Sequence, residues 1–396
     1  MALTGSGELK FSQMRDEFGG SGQVKFSDLY RGGSLVRAKA GNNGATNLAA
    51  NVPASGEIQV ADFYSQAKGF RKTYDSGATN QDASAVFGDD YGVNYPKEIV
   101  IDSGVELGAT STSQEALQID SGLAGGLTIT NNGTLTGAGG AAGSAGGDAL
   151  QIDVACTLVN NGTIRSGGGG GGTGGAGGTG GTGGQGVTSS TAPGSWSSYQ
   201  YTGGGAGDRS VQQYTNRAWY WDAWLGNTHY ASTSATFGSY NYQSGSVAAS
   251  YGEVFLYQIR RRLASVTSYS YHNGGAGGSG GSGGGGGVGQ GYSQSAASGS
   301  GGSSGSGGSG GGTNAGSGGT GGTGGTGGTG GAYGASGSSG ATGSTGATGN
   351  NGNHSNGSGG SGGSGGSSGA AAGLSIRGFS TLSEYTNNGT VTGSTG

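Results

Sequence analysis

"GGTGGTGGTGGTGG", residues 318–331, carries no charge, no proline and no side chain larger than threonine. It cannot build an apolar core, so whether and how it folds decides the architecture of the chain. Side chains recur at every third residue: Thr320, Thr323, Thr326 and Thr329 here, Thr173, Ala176, Thr179, Thr182 and Gln185 in a second tract, Ala276, Ser279 and Ser282 in a third, and Ser361, Ser364 and Ser367 in a fourth. That period matches the left-handed polyproline-II helix, with three residues per turn and about 3.1 Å rise. The substituents then line one edge, and the two bare edges let neighbouring backbones approach to hydrogen-bonding distance. Collagen shares the glycine period but needs proline between the glycines, and this chain has only Pro53, Pro96 and Pro193.

Energetics decides against an isolated helix. Fixing a backbone residue costs about 1–2 kcal/mol, most for glycine, and a net hydrogen bond returns about 0.5–1.5 kcal/mol. In a bundle an interior helix uses most of its donors and acceptors, and close backbone packing adds dispersion. Segments 137–147, 166–187, 274–288, 299–331, 334–349 and 357–372 are the expected helices of such a bundle, with 167–186 reaching about 60 Å. A flexible Gly/Ser linker is the competing reading of the C-terminal third.

Composition limits the rest. Glycine supplies 104 of 396 residues, with 30% hydrophobic and 10% charged, well off the usual globular balance. No lysine follows Lys97, no charge lies between Asn273 and Gly373, and the net charge is −4. Mild acidity without a basic face argues against nucleic acid; Arg260, Arg261 and Arg262 read as a solvated edge. The lone Cys156 excludes an internal disulfide and a cysteine zinc site. The start, "MALTGSGELKF", has no apolar signal core, and no span is long enough for a membrane helix. Synthesis in a cytoplasm without membrane insertion is expected.

Two repeat families organise the remainder. "SGELKFSQM" from Ser6, "SGQVKFSDLY" from Ser21 and "SGEIQVADFY" from Ser55 each join a Ser-Gly turn to alternating apolar residues, which suits a short strand; Ser12 and Ser27 are candidate helix caps. These units are too small to bury their own faces, so they read as a docking module offering Phe11, Met14, Phe26, Leu29, Ile58 and Val60. Further on, "LTITNNGTLTGAGG" at Leu127 returns as "TLVNNGTIRSGGGG" at Thr157 and "YTNNGTVTGSTG" at Tyr385. Asn-Gly between β-branched residues is a strand–turn–strand signal, since both tolerate positive φ. The N-x-T sequons at Asn132, Asn161 and Asn388 are read as turns rather than glycosylation sites.

With "TITNNGTLTGAGGAAGSAGGDALQI" and "LVNNGTIRSGGGGGG" followed by triplet glycine tracts separated by loops, the chain from about Tyr95 to Gly396 resembles the tip adhesins of T-even-type long tail fibres of phages. The resemblance implies a polyglycine-II bundle whose distal loops bind a host surface protein or saccharide, a place on the virion tail, synthesis in the host cytoplasm, and no cofactor. The threefold "SG[EQ]" phrase departs from that family and is similar to attachment modules of other phage tail proteins, implying that the N-terminus mounts the chain on a tail or fibre protein.

Recognition should sit where the glycine is interrupted. Between Val187 and Asn273 lie all four tryptophans and many tyrosines. "RAWYWDAW" read as a strand puts Trp219 and Trp221 on one face and Tyr220 on the other. Aromatic faces stack on sugars and anchor interfaces. Candidate receptor residues are Trp219, Tyr220, Trp221, Trp224, Tyr230, Tyr240, Tyr242, Tyr269 and Tyr271, with Tyr333 and His354 in minor loops; the competing reading is a small core for the insert. Catalysis would need paired carboxylates, and Asp208, Asp222 and Glu253 form no tight pattern; His229 and His272 have no metal-ligand spacing. A glycan depolymerase, a purely structural virion component and an ice-binding threonine edge are the alternatives. The expected fold is mostly β and irregular: docking repeats over 1–70, a β-rich neck over 71–165, a polyglycine-II helix bundle over 166–187 and 274–372 with an aromatic-rich loop insert over 188–273, and a strand–turn–strand over 373–396 closing the neck.

Overall fold

The computed structural model describes residues 2–38, 44–192, 194–195, 200–204, 234–237, 240–251, 254–261 and 265–396, with backbone alone for those from 200 to 261. The N-terminal module is a small core of Leu3, Leu9, Met14, Phe18, Leu29, Val36, Ala49, Val52 and Phe63. The three phrases fold alike, but not as strands. Each extended stretch runs into a short helical turn: α1 (Phe11–Glu17), α2 (Phe26–Leu29) and a 3-10 turn at Val60–Phe63. Ser12 and Ser27 fall one position inside the helix, so they cap nothing. The N-terminal N–H groups are met from within, those of Lys10, Lys25 and Gln59 donating to the side chains of Gln13, Asp28 and Asp62 at 2.8, 2.9 and 2.7 Å, the reaching-back half of a capping box.

From Phe70 the chain winds a parallel three-sided β-solenoid. Its first side begins with β1 (Thr46–Asn47), antiparallel to β2 (Phe70–Tyr74), and continues in β5 (Lys97–Ile101), β8 (Leu127–Asn131) and β11 (Thr157–Asn160). The second side stacks β3 (Ala78–Thr79), β6 (Glu106–Gly108), β9 (Thr134–Thr136) and β12 (Thr163–Arg165). The third stacks β4 (Gln81–Asp82), β7 (Leu117–Ile119) and β10 (Leu150–Ile152), with α3 (Ala83–Phe87) after the first turn. Equivalent side chains pile into columns: Ile99, Ile129 and Leu158; Leu107, Leu135 and Ile164; Leu117, Leu150 and Ile376, all fully buried. Each such burial is worth about 1.5–3 kcal/mol. Alternation within a strand puts these residues inside.

The Asn-Asn-Gly turns are solenoid corners rather than hairpins: each joins strands of different sides, and none of these asparagines has positive φ. The amides stack instead. Asn131 donates to Asn160 at 2.7 Å and Asn160 to Asn387 at 2.8 Å inside the coil, while Asn161 donates to Asn132 at 2.9 Å and Asn388 to Asn161 at 3.0 Å outside it. The corner glycines are required by close approach: a Cβ at Gly133, Gly162 or Gly389 would collide with a carbonyl of the preceding coil.

Between the second and third sides the corner loops grow from turn to turn: residue 80, then 109–116, 137–149 and 166–373. The glycine-rich array is thus an insertion at one corner. Runs 167–185, 274–289, 297–311, 316–331, 335–350 and 355–373 pass back and forth without regular helix or strand, and hydrogen-bond to one another at every third residue. From the first run, Gly174 donates to Gly284 and Gly177 to Gly281 at 2.8 Å, antiparallel; Gly175 donates to Ala341 and Gly178 to Ser344 at 2.9 Å, parallel. Gly322 donates back to Gly178 at 2.7 Å, and Ser361 to Thr179 at 2.9 Å. Runs 167–185 and 316–331 are the hubs. Segment 299–331, expected as one helix, is two antiparallel runs, because Thr313 and Asn314, with φ 57°, reverse the chain.

At the far end the first run passes into β13 (Gly186–Ala192). It pairs with β18 (Val266–His272), and between them a second sheet holds β14 (Gln200–Gly204), β15 (Ser234–Phe237), β16 (Tyr240–Tyr251) and β17 (Val254–Arg261). The chain returns through β19 (Leu374–Arg377) onto β10, completing the interrupted coil, and adds β20 (Glu384–Asn387), β21 (Thr390–Thr392) and β22 (Ser394–Thr395) to the three sides. Arg377 locks this junction by pairing with buried Asp148 and Glu115.

Candidate functional site

The far end of the array is a knot of three chain reversals. Run 167–185 ends at Gln185, whose carbonyl accepts from the N–H groups of His354 and Ser355 at 3.1 and 3.2 Å. Beyond it the Asn353 amide imitates a strand partner: Val187 N–H donates to its oxygen at 2.7 Å and its nitrogen donates to the Val187 carbonyl at 3.0 Å. Asn314 reaches the same carbonyl at 3.3 Å, and Asn353 N–H donates to the Asn314 carbonyl at 3.0 Å. Loops 312–315 and 351–356 are thereby tied to the root of the β13–β18 ribbon.

Aromatic groups stand on this platform. Tyr271 meets His354 edge to face at a ring separation of 4.9 Å, and Thr188 shares a hydrogen bond of 3.1 Å with the His272 ring. Tyr269 and Tyr271, two apart on β18, share one face of the ribbon and are 63% and 60% exposed. No Lys, Arg, Asp or Glu occurs over 166–192 or 265–373. Apart from the insert, this end therefore offers hydroxyls, amides, imidazoles and phenol faces for stacking and hydrogen bonding, not ion pairs.

The other candidates fall as follows. Tyr240 and Tyr242 lie on β16, Tyr242 opposite Ala235 and Arg261. Trp219, Tyr220, Trp221, Trp224 and Tyr230 lie outside the described residues. Tyr333 is at the opposite end, where run 316–331 turns back beside the solenoid: its ring lies under the Arg165 guanidinium at 3.9 Å and its hydroxyl donates to the Gly291 carbonyl at 3.2 Å. It joins array to neck and cannot reach a ligand held near His354. In the N-terminal module Phe11, Phe26 and Val60 are exposed, whereas Met14 and Leu29 are core and Ile58 is half-buried against it. A core residue cannot meet a partner, so Met14 and Leu29 are not available for the docking role expected of them.

Three ionisable groups among the described residues are held by a partner or by burial. Glu106 pairs with Arg165 at 2.9 Å and Asp148 with Arg377; burial pushes the Cys156 thiol up to about 11, leaving it protonated and unreactive at neutral pH. Among the described residues no cluster of His, Cys, Asp and Glu could hold a metal ion, and no helix is long and apolar enough to cross a membrane. The Asn314–Asn353 clasp and the Arg165–Tyr333 stack were not readable from the sequence, because each joins residues far apart in the chain that carry no motif of their own.

The family model of the phage tail fibre adhesin Gp38 matches residues 69–304, which span the solenoid as far as the array, the first runs of the array and the insert. Neither the curated proteins nor the solved structures compared with the chain include a match.

Proposed function

Since the chain belongs to the phage tail fibre adhesin Gp38 family, we propose that it recognises a host surface protein or saccharide through the far end of the array and joins the tail through its N-terminal module. The carrying observation is the placement of loops 312–315 and 351–356 and the ribbon root at one end, with the solenoid and N-terminal module at the other. On this reading the array is a polyglycine-II bundle acting as a rigid spacer of about 55–60 Å. The period-three ladder between parallel and antiparallel runs and the exposed–intermediate–buried repeat along 173–184 support it. The protein then serves on the virion tail as a binder, without a catalytic step of its own.

The receptor surface proposed is Tyr269 and Tyr271 with His354, extended by the insert residues Trp219, Tyr220, Trp221, Trp224, Tyr230, Tyr240 and Tyr242. Purified protein would be tested for binding to host envelope fractions. Tyr271→Ala and Trp221→Ala should each weaken binding by about 1–2 kcal/mol, the scale of an interface hot spot, with the melting temperature unchanged. Exchange of 209–245 for the matching segment of a related adhesin should alter host range. New reducing ends released from envelope polysaccharide would favour a depolymerase instead, and an exchange that folds and leaves host range untouched would remove the insert from the receptor surface.

A further inference from the structure

Six described asparagines precede a glycine: Asn132, Asn161, Asn273, Asn351, Asn356 and Asn388. Asn-Gly is the dipeptide most prone to cyclise, because a glycine nitrogen, with no neighbouring side chain and a permissive backbone, can close on the asparagine Cγ. Closure needs an N–H that is not donating elsewhere and a carboxamide that is not held elsewhere. Exposure does not separate the six, since all but Asn132 are exposed.

Hydrogen bonding does separate them. In the solenoid corners the N–H groups of Gly162 and Gly389 donate to the Asn131 and Asn160 carbonyls at 2.9 and 3.0 Å, and the outer ladder holds the carboxamides of Asn132, Asn161 and Asn388. In loop 351–356 one bond guards two pairs. Gly357 N–H donates to Asn351 Oδ1 at 2.9 Å, which occupies the nitrogen of the second pair and the carboxamide of the first; Gly352 N–H donates to the Ser355 carbonyl at 2.9 Å. Asn273 and Gly274 have neither restraint. Among the described residues the Gly274 N–H meets no acceptor and the Asn273 carboxamide no partner. The Asn273 carbonyl accepts from Gly312 N–H at 3.0 Å.

We infer that Asn273 is a site of self-modification that places a negative charge at the root of the β13–β18 ribbon. The Gly274 nitrogen bonds to Asn273 Cγ and gives up its proton, the Cγ–Nδ2 bond breaks, and ammonia leaves a succinimide spanning the two residues. Water then adds to one of the two ring carbonyls. Breaking the Cγ–N bond leaves aspartate; breaking the backbone C–N bond leaves isoaspartate, whose main chain is one carbon longer. Water is the sole co-reactant. The product carries the first acidic group within 265–373, at the point where β18 passes into run 274–289. The next residue, Gly275, donates to the Gly316 carbonyl at 2.9 Å, and a run held in that register has no slack for an extra backbone carbon. The ribbon root, with Tyr269 and Tyr271, therefore shifts against loop 312–315.

The test ages the full chain in mildly alkaline buffer and follows each asparagine by peptide mass spectrometry. Conversion of amide to acid should be several-fold faster at Asn273 than at the other five, with isoaspartate among the products, and the denatured chain should lose that ranking. Asn273→Gln, at an exposed side chain without a partner, should abolish conversion there and leave melting unchanged. Asn351→Ala removes the acceptor of Gly357 N–H and should raise conversion at Asn356. Conversion at Asn351, Asn356 or a solenoid corner as fast as at Asn273, or an Asn273 that stays intact while the denatured chain converts, would overturn the assignment. The consequence for recognition rests on the reading of the far end as the receptor surface and is measured apart from the chemistry. Aged protein should bind host envelope fractions more weakly than fresh protein, and aged Asn273→Gln should not; equal losses in both would overturn that consequence and leave the modification standing.

Discussion

Gly362 and Gly363 are adjacent in sequence and opposite in consequence. A Cβ at Gly362 would meet nothing within 4 Å, whereas one at Gly363 would sit 2.1 Å from the Gly343 carbonyl oxygen. The chain already exploits the open register, placing Ser368 in line with Gly359, Gly362 and Gly365, and Ser304 in line with Gly301, Gly307 and Gly310. Gly362→Ala should therefore be neutral or stabilise by about 0.4–1 kcal/mol through the unfolded state. Gly363→Ala should be destabilising, and Gly175→Val, whose Cβ would lie 1.9 Å from the Ser364 carbonyl oxygen, should exceed the ~1–3 kcal/mol usual for overpacking. Chemical denaturation of the three variants checks this; equal stabilities would mean the runs are not packed on one another. The third-position side chains have a task as well: the Ser361 and Ser364 hydroxyls accept at 2.8 Å from the N–H groups of Thr179 and Ala176, which no backbone carbonyl meets.

At the scale of the element, the solenoid carries the ionisable groups that set the response to pH. Lys97 is buried, its ammonium donating to the carbonyls of Val93, Tyr95 and Ala124 at 2.9, 2.8 and 2.8 Å, and burial lowers its pKa to about 8. Its native form loses the proton before the unfolded chain does, so stability should rise as pH climbs from about 8. Cys156 works the other way: its thiol, raised to about 11, stays protonated in the native state after the unfolded one has ionised, and buried Tyr74 and Tyr91 are shifted upward too. Their contribution is lost as pH rises above about 9–10. A stability maximum near pH 9 is expected, and Lys97→Met should flatten its rising side in a series of melts. In the Asn stack, Asn160→Ala should cost about 1–3 kcal/mol by leaving the buried Asn131 amide unmatched, and Asn161→Ala, on the exposed ladder, clearly less.

For the whole molecule, the decisive feature is that the array and everything it displays leave and re-enter one solenoid corner. Gly373 donates to the Gly167 carbonyl at 3.0 Å, so the two ends of a 208-residue excursion from Ser166 to Gly373 lie side by side. The coil before it closes the same corner with 137–149. Replacing 166–373 by a short Gly/Ser link should leave a cooperatively melting solenoid that still assembles through the N-terminus and no longer binds host cells. Loss of the solenoid transition in circular dichroism would show that the array is part of its core.

Local rules were legible where one residue's chemistry suffices. The triplet period, read from Thr320 to Thr329, gives the side-chain edge that the runs display, and the alternation in "ALQID" and "LTITN" gives the buried columns of the neck. The repeated "SG[EQ]" phrase announces three equivalent units at the N-terminus. Pairing was not legible. Asn-Gly is compatible with a hairpin or a solenoid corner, and only the stacking of Asn131, Asn160 and Asn387, with bonded neighbours 29 and 227 residues apart, selects the corner. Which glycine faces a neighbour and which faces water likewise depends on how many runs surround it: the hubs at 167–185 and 316–331 need two bare positions in three, and the outer run 335–350 needs one. A backbone hydrogen bond has the same donor and acceptor everywhere, so sequence determines that these segments can pair, and the closing of the array around its hubs determines with whom.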